Sequence, residues 1–379
     1  MLFLLLSLTA LFWMVIAVDT YRGLMILPAL EKEATLSSSG MISVIVPARN
    51  EETHIEKSIR SQLSQTYQQI EWILVNDRST DQTGKMMEKL AAQDQRVRVI
   101  HISKLPDGWL GKNYALYKGA QAAAGHTYLF TDADVIYEPD LIAKAVSYMD
   151  RVKIDHLTVS PDLQSRSFLL KGFVAFFLFG FSYYKRPWSA NRDKSKSGMG
   201  IGAFNMITKE AYKKTGGHQA IRLRPDDDLQ LGMLVKRHGL SQRMATAKTM
   251  LRVEWYPTLK EALKGLEKNA FAGLHYSYTF TFAAMTGVFI SQVLPFIAVF
   301  HSDFYTSAMA WVVITAIMAV YIPLTRKLTT YSSWHAVLFP VSAILFIFAV
   351  IRAAMLTLIR GGVKWRGTIY PIKELKKKS

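Results

Sequence analysis

Long apolar segments occupy both ends of the chain, and a region of shorter alternating patterns lies between them. Residues 1–18 are apolar and uncharged, and further apolar blocks cover Phe280–Phe300, Ser307–Leu324 and Val337–Ile359. Each block approaches the roughly 20 residues that a helix needs to cross a bilayer. We therefore predict transmembrane helices within residues 273–359. An N-terminal anchor over residues 1–27 is expected to be retained, because it lacks a basic start and a small-residue cleavage site.

Between these segments the pattern changes to short apolar strands that alternate with amphipathic helices. The predicted strands are Ile42–Val46, Ile70–Val75, Val97–Ile102 and Tyr128–Phe130, and the predicted helices are residues 50–65, 81–93 and 114–124. This alternation predicts an α/β domain over residues 41–270, with a mostly parallel sheet covered by helices on both faces. No G-x-G-x-x-G follows the first strand, which disfavours a dinucleotide-binding site.

A phenylalanine-rich segment, residues 165–185, interrupts this domain and has basic residues near both ends. Its apolar face and basic flanks fit a helix that lies at the lipid interface. A core helix of a soluble domain has a similar pattern, and the sequence leaves both interpretations open.

Composition narrows the range of partners. The 379 residues carry a net charge of +17 and include no cysteine, so disulfides and thiolate zinc sites are excluded. The positive charge fits an anionic membrane surface or an anionic substrate. Because the basic residues are dispersed and the basic tail, residues 360–379, directly follows an apolar block, we expect lipid head groups and phosphates rather than nucleic acid.

The same tail sets the expected orientation in the membrane. Basic residues next to a membrane helix favour the cytoplasmic side. A cytoplasmic α/β domain followed by three full crossings would leave the tail on the other side. One apolar block is therefore expected to be re-entrant or interfacial, and the polar residues within Phe280–Phe300 favour that block.

Candidate chemistry begins with two carboxylates, Asp132 and Asp134, which directly follow the strand Tyr128–Phe130. The carboxyl end of a strand in an open α/β sheet is where ligands bind. Paired acids there suit a hard divalent cation, and such a cation suits a nucleotide diphosphate. The alternative is an aspartate-rich turn that caps the helix after Pro139.

Five stretches stand together along the chain: Pro47–Glu52, Val75–Asp81, Gly108–Asn113, the Asp132–Asp134 pair and Arg224–Gly232. In order and spacing they resemble the inverting family 2 glycosyltransferases of the GT-A fold. Gly111-Lys112, Gly216-Gly217-His218 and Trp365-Arg366-Gly367 with Tyr370 resemble members that glycosylate lipids. Those members are ceramide-glucosyltransferase-like, hopanoid-associated and diaponeurosporenoate (carotenoid) glycosyltransferases. The resemblance implies a Rossmann-like nucleotide-diphospho-sugar transferase domain, cytoplasmic at the plasma membrane, that transfers a single sugar from a UDP-sugar to a lipid with inversion.

The resemblance also implies roles for the matching residues. Pro47, Ala48, Arg49, Glu51 and Asp77 would hold the base and ribose, Lys112 would meet a phosphate, and Asp132 and Asp134 would position Mg²⁺ or Mn²⁺ on the diphosphate. Asp228 would be the general base, with Asp227 as second choice because adjacent acids leave the register open by one. Gly217 and His218 would line the sugar or acceptor pocket. Each of these residues also has a structural alternative. Asp77 could start a turn, and Lys112 could be an ordinary exposed lysine. Asp226–Asp228 could cap a helix, and His218 could pack in the core.

The chain departs from related membrane transferases at one element. A Gln-x-x-Arg-Trp sequence is often present near the membrane interface there, but Leu266–Phe271 lacks it. Its absence argues against the alternative of a processive polysaccharide synthase. Trp365 and Arg366 could take its place, or they could anchor the last membrane helix. An inactive membrane binding or scaffold protein is the alternative of another class.

Overall fold

The computed structural model describes residues 1–35, 40–274, 277–365 and 368–371. Its helices are α1 (Leu2–Met25), α2 (Ile55–Leu63), α3 (Thr83–Gln93), α4 (Gly111–Ala122), α5 (Leu141–Val152), α6 (Phe168–Lys185), α7 (Lys209–Thr215), α8 (Gly217–Ala220), α9 (Asp227–Arg237), α10 (Leu259–Gly273), α11 (Tyr278–Val288), α12 (Leu294–Ala298), α13 (Phe304–Leu328) and α14 (Phe339–Arg360). Its strands are β1 (Ile42–Ala48), β2 (Ile70–Asp77), β3 (Val97–Ile102), β4 (Thr127–Phe130), β5 (Val135–Tyr137), β6 (His156–Ser160), β7 (Asp162–Gln164), β8 (Asn205–Thr208), β9 (Gln242–Thr246), β10 (Leu251–Glu254), β11 (Gly362–Trp365) and β12 (Thr368–Pro371).

The chain forms two compact units, and the first, which we call the sheet unit, comprises Met25–Leu163 and Pro187–Glu254. Its described residues form a seven-stranded sheet in the order β3-β2-β1-β4-β8-β6-β9. Neighbours among β3, β2, β1 and β4 are parallel, whereas β8 is antiparallel to both β4 and β6. The predicted mostly parallel sheet is confirmed, and β8 is the exception that the alternating pattern did not indicate.

Alternate residues of the central strands face two separate cores. Val44 and Val46 pack with residues of α2, α3 and α5, whereas Ile45, between them, packs with residues of α4, α7 and α9. Strands buried on both faces read as continuous apolar runs rather than as polar–apolar alternation. The prediction of helices on both faces of the sheet is confirmed.

The parallel strands bring the candidate site residues to one edge of the sheet. Ile45 of β1 pairs with Phe130 of β4, and Ala48 pairs with Asn76 of β2. The loops that follow these strands therefore leave from neighbouring positions at the carboxyl edge, where ligands bind in open α/β folds. Helix α2 begins only at Ile55, later than predicted, because Asn50 has a left-handed backbone (φ 57°) that a helix cannot include.

The second unit, which we call the apolar unit, comprises Met1–Leu24, Gln164–Arg186 and the chain from Trp255 onward. Five helical segments among the described residues are long and apolar enough to cross a membrane. They are Leu2–Met25, Phe168–Lys185, Tyr278–Ala298, Phe304–Leu328 and Ser333–Arg360. The predicted N-terminal anchor and the three C-terminal blocks are all helical, which supports membrane association. The number and direction of the crossings remain predictions.

The phenylalanine-rich segment, α6, packs within this apolar unit. The indole ring of Trp13 in α1 stacks on Phe179 with ring centroids 5.3 Å apart, and Phe179 also contacts Tyr321 and Phe339 edge-on. Phe179 is fully buried by these aromatic neighbours. The segment therefore belongs to the apolar unit rather than to the sheet unit, and its position at the lipid interface stays a prediction.

The apolar block at Phe280–Phe300 has the irregular backbone that its polar residues indicated. A π-helical turn at Phe289–Val293 separates α11 from α12, and Pro295, which has no N–H to donate, follows it. The amide of Gln292, inside this turn, donates a hydrogen bond to the Tyr183 hydroxyl over 3.1 Å. Whether the block is re-entrant remains a prediction.

Candidate active site

The loops that follow β1 and β2 are tied together by hydrogen bonds. The N–H of Asn50 donates to the Ser79 hydroxyl over 3.1 Å, and the N–H of Thr80 donates to the Asn50 amide oxygen over 2.8 Å. The N–H of Glu51 donates to the Thr83 hydroxyl over 2.8 Å. The predicted nucleotide-binding residues of this region, Pro47, Ala48, Arg49 and Glu51, lie on the last residues of β1 and in this cross-linked loop. They thus occupy a fixed edge of the sheet.

Asp77 ends β2 with its carboxylate buried. Arg78 clamps this carboxylate with two hydrogen bonds, of 2.8 and 3.3 Å. Gly111, the first residue of α4, lies so close that a Cβ atom there would be 2.3 Å from the Asp77 carboxylate oxygen. Only glycine allows this approach, which brings the start of α4 and its neighbour Lys112 to the end of β2.

Lys112 connects two of the predicted acidic positions. Its ammonium nitrogen lies 2.7 Å from the Asp132 carboxylate and 3.7 Å from that of Asp227. Burial would lower the pKa of Lys112, but the charges of Asp132, Asp227 and Asp228 outweigh burial and raise it. Lys112 is therefore a permanent positive charge among these acids.

Asp228 is held by backbone donors on both carboxylate oxygens. The N–H of Gly202 donates to one oxygen and the N–H of Leu229 donates to the other, each over 2.8 Å. Asp227 and Asp228 form the first turn of α9, where the helix dipole favours negative charge. Asp226 precedes the helix and instead pairs with Arg224 over 3.0 Å.

The acids of α9 are less readily ionised than ordinary aspartates. Burial raises the pKa of Asp227 and of Asp228, and the charge of Asp132 adds to the effect, while Lys112 opposes it. A raised pKa makes a carboxylate a stronger base once it is deprotonated. The pocket thus combines the positive charge of Lys112 with two carboxyl groups, those of Asp227 and Asp228, whose pKa is raised.

A glycine-rich segment, Gly198-Met199-Gly200-Ile201-Gly202, brings α9 next to β4, and our sequence analysis missed it. A Cβ atom at Gly200 would lie 1.8 Å from the Asp228 carbonyl oxygen, and one at Gly202 would lie 2.5 Å from the Asp132 carboxylate. The alternating glycines were the available signal, because glycines in an extended segment often mark close backbone approach.

Asp134 is half-buried and lies two residues after Asp132, outside the pocket lining. Burial raises the pKa of its carboxyl group, and the neighbouring Asp132 charge adds to the shift. Strand β5 separates both acids from α5, whose N-cap residue is Asp140. The alternative that Asp132 and Asp134 cap that helix is therefore wrong.

The side chains of this site provide only some of the ligands that a hard cation such as Mg²⁺ needs. Among the described residues, no three carboxylate or imidazole side chains cluster closely enough to hold a metal by themselves. Mg²⁺ in proteins is commonly bound by one or two carboxylates together with substrate phosphates. Asp132 and Asp134 provide such a pair, so the residues fit a cation that is shared with a diphosphate.

His218 lies in the same pocket as a neutral imidazole. It is fully buried, and burial together with the Lys112 charge lowers its pKa to about 3. The Tyr212 hydroxyl accepts the His218 backbone N–H over 3.2 Å and lies 2.9 Å from its Nδ1. Donation from the hydroxyl to Nδ1 leaves the ring proton on Nε2. Gly217 packs on the Tyr212 ring, where a Cβ atom would lie 2.3 Å away.

The structure brings together some of the predicted site residues. One pocket is lined by Lys112, Leu116, Phe130, Thr131, Asp132, Gly202, Asn205, His218, Asp227 and Asp228. The expectation that acids from separate loops converge thus holds for Asp132, Asp227 and Asp228. Asp77 and Asp134 lie at the same sheet edge outside this lining. Trp365 belongs to β11, and Arg366 lies outside the described residues.

Comparison with known proteins shows what the chain is similar to. Residues 43–216 match the model of glycosyl transferase family 2. An uncharacterized glycosyltransferase of Haemophilus influenzae is 37% identical over 118 residues, which span 31% of this chain but only 35% of that relative. A 4,4'-diaponeurosporenoate glycosyltransferase of Staphylococcus aureus is 24% identical over 340 residues, or 88% of this chain and 89% of that protein.

The fold has a solved counterpart. The mannosyltransferase PcManGT from Pyrobaculum calidifontis, in complex with GDP-Man and Mn²⁺, superposes with a TM-score of 0.54 at 16% identity. The match covers 95% of this chain and 99% of that one. The predicted GT-A fold and the resemblance to family 2 are confirmed.

Proposed function

The chain carries a glycosyl transferase family 2 domain, and we propose that it transfers a single sugar from a UDP-sugar to a lipid acceptor with inversion. The observation that carries this proposal is the convergence of Asp132, Asp227 and Asp228 around the Lys112 ammonium group. A lysine ammonium group can bind the phosphates of a nucleotide diphosphate, and carboxylate oxygens can bind the divalent cation that accompanies them. The likeness to a diaponeurosporenoate glycosyltransferase over most of the chain supports a lipid as the acceptor.

On the donor side, we propose that Pro47, Ala48, Arg49, Glu51 and Asp77 hold the base and ribose. Arg78 keeps the Asp77 carboxylate in one orientation, and this leaves it available to accept hydrogen bonds from hydroxyl groups. Lys112 would contact the diphosphate. Asp132 and Asp134 would hold Mg²⁺ or Mn²⁺, and the cation, when bound, would neutralise charge on the departing UDP.

On the acceptor side, Asp228 is the proposed general base, with Asp227 as the second candidate. The acceptor oxygen forms a bond to the anomeric carbon, and its proton passes to the carboxylate. The bond from that carbon to the diphosphate breaks, and its electron pair leaves with UDP. Attack from the face opposite the diphosphate inverts the anomeric centre. His218 would donate its Nε2–H to a sugar or acceptor hydroxyl, beside the backbone of Gly217.

The test uses the full chain in lipid nanodiscs. UDP-glucose, UDP-galactose and UDP-N-acetylglucosamine are offered with carotenoid, isoprenoid and glycerolipid acceptors in the presence of Mn²⁺, Mg²⁺ or a chelator. GDP-mannose serves as the comparison donor. We expect UDP release and a lipid heavier by one sugar, with the opposite anomeric configuration to the donor, and loss of both with the chelator.

Matched variants sharpen this test. Asp134→Ala and Asp228→Asn should strongly reduce product formation, whereas Asp150→Asn, which changes an exposed acid on α5, should not. A ladder of products would instead identify a polysaccharide synthase. Nucleotide binding without turnover for every donor and lipid would favour an inactive binding protein and overturn the proposal.

A further inference from the structure

Three buried polar side chains connect neighbouring strands of the sheet to the helix that carries the proposed base. They are His156 on β6, Asn205 on β8 and Gln242 on β9, and each is at most 2% exposed. None of them was a candidate in the sequence analysis. Polar groups with this burial destabilise a fold unless they are fully hydrogen-bonded.

The hydrogen bonds among these three side chains have one consistent direction. The Gln242 amide nitrogen donates to His156 Nδ1 over 2.8 Å and to the Gly232 carbonyl over 3.1 Å, while its oxygen accepts the Met199 N–H over 2.9 Å. Because Nδ1 accepts, the proton of the imidazole is on Nε2. That nitrogen donates to the Asn205 side-chain oxygen.

The chain of bonds ends at the proposed base. The Asn205 amide nitrogen donates to the Asp228 carbonyl over 3.3 Å. Gly232, bound by Gln242, lies one turn further along α9. The network therefore holds two successive turns of α9, and through Met199 it also holds the glycine-rich segment whose Gly202 N–H binds the Asp228 carboxylate.

We propose that His156, Asn205 and Gln242 are positioning residues that fix the first turns of α9 and so hold Asp228 at the reacting centre. The inference rests on the proposed function, because it assigns the network a role in proton removal. A buried polar network whose members are hydrogen-bonded to one another resists rearrangement in a way that apolar packing does not. Only the neutral imidazole satisfies it, and burial lowers the pKa of His156 to about 4.

The test compares variants that break the network with one that preserves its chemistry. His156→Leu and Asn205→Ala remove a link, whereas His156→Gln keeps one amide donor and one acceptor. Thr158→Val is the matched control, because Thr158 is a fully buried residue of β6 whose hydroxyl binds the Phe204 carbonyl rather than α9. We measure kcat, KM for the nucleotide sugar and amide hydrogen exchange of peptides within residues 227–237.

We expect His156→Leu and Asn205→Ala to lower kcat by about 10- to 100-fold, since small displacements of a catalytic group cost this much. In His156→Leu the KM for the nucleotide sugar should change less than kcat, because the proposed base and ribose contacts, Pro47–Glu51 and Asp77, lie on β1, β2 and the loop after β1, outside the network. Exchange in α9 should accelerate in both variants. His156→Gln should recover most of kcat, and Thr158→Val should match the wild type in kcat and in exchange.

Two results would overturn the inference. One is an unchanged kcat per folded molecule in His156→Leu and Asn205→Ala, with only the yield of folded protein reduced. The other is unchanged exchange in α9. Failure of the proposed function has a different signature, because the wild-type chain would then release no UDP with any donor while the exchange measurements still report on the network.

Discussion

The ammonium group of Lys112 lies 2.7 Å from the carboxylate of Asp132 and so joins the start of α4 to the loop after β4. The same group is 3.7 Å from Asp227. A lysine is a mobile point charge on a flexible stem, so it can exchange a carboxylate for a phosphate oxygen with little rearrangement. The Lys112 ammonium group therefore offsets part of the negative charge of the neighbouring acids, and under the proposed function it would offset part of the diphosphate charge when the donor binds.

Lys112→Met should weaken donor binding. We expect the dissociation constant for the UDP-sugar to rise by about 10- to 100-fold, the loss typical of a charge-assisted hydrogen bond. Lys112→Arg should lose less, because the charge remains. Isothermal titration measures binding, and Lys118→Met on the same helix, α4, is the control. If the affinity of Lys112→Met for the UDP-sugar were unchanged, Lys112 would pair only with the neighbouring aspartates and would not contact the diphosphate.

The two acids of α9 can be separated by amide substitution. Asp228→Asn removes the proposed proton acceptor, and kcat should fall by about 10²- to 10⁴-fold. Asp227→Asn should have a smaller effect on kcat and a larger one on donor KM, because Asp227 faces Lys112. Steady-state kinetics with both substrates varied distinguishes them. The reverse ranking would show that Asp227 is the base.

Activity should depend on pH above the range of an ordinary aspartate. Only the deprotonated carboxylate can accept the acceptor proton, and burial raises the pKa of Asp228 and Asp227. The active fraction therefore rises as pH rises through these elevated values, so kcat should be lost on acidification earlier than a carboxyl with its usual pKa would predict.

The pH profile of kcat, measured at saturating donor, checks this direction. Titration of His218 should cause no further change in kcat near neutral pH, because burial and the Lys112 charge lower the pKa of His218 to about 3. A kcat that stays constant down to the usual pKa of aspartate would contradict the raised proton affinity.

Gly200→Ala should damage both stability and catalysis. A Cβ atom there would lie 1.8 Å from the Asp228 carbonyl oxygen, so α9 or the glycine-rich segment must move. Overpacking of this kind destabilises a protein by about 1–3 kcal/mol. Thermal unfolding and kcat are measured beside Gly40→Ala, where the added Cβ has no neighbour within 4 Å. Equal behaviour of the two variants would contradict the close packing.

The parts of the fold that depend on local pattern could be predicted from the sequence. β3 has the predicted bounds Val97–Ile102, and the strands β1, β2 and β4 were found to within two residues. β8 was missed because a short strand after a polar, glycine-rich stretch has no pattern of its own. Its place between β4 and β6 is decided by tertiary pairing.

The candidate site could be predicted where its residues are close together in the sequence. The Asp132–Asp134 pair and the three acids Asp226–Asp228 at the start of α9 are visible as motifs. The network of His156, Asn205 and Gln242 is not, because its members are far apart in sequence and meet only when β6, β8 and β9 pair. An isolated histidine or glutamine in a strand has no sequence feature that separates it from an exposed polar residue.

The order of the strands has a consequence for how this protein is made. β6 reaches the rest of the sheet only through β8, and α6 lies between these two strands along the chain. Synthesis of the chain therefore delivers the apolar helix α6 before the last strands of the seven-stranded sheet. A chain trimmed at both termini would still contain α6, so we expect a water-soluble form to need substitutions within Phe168–Lys185 as well.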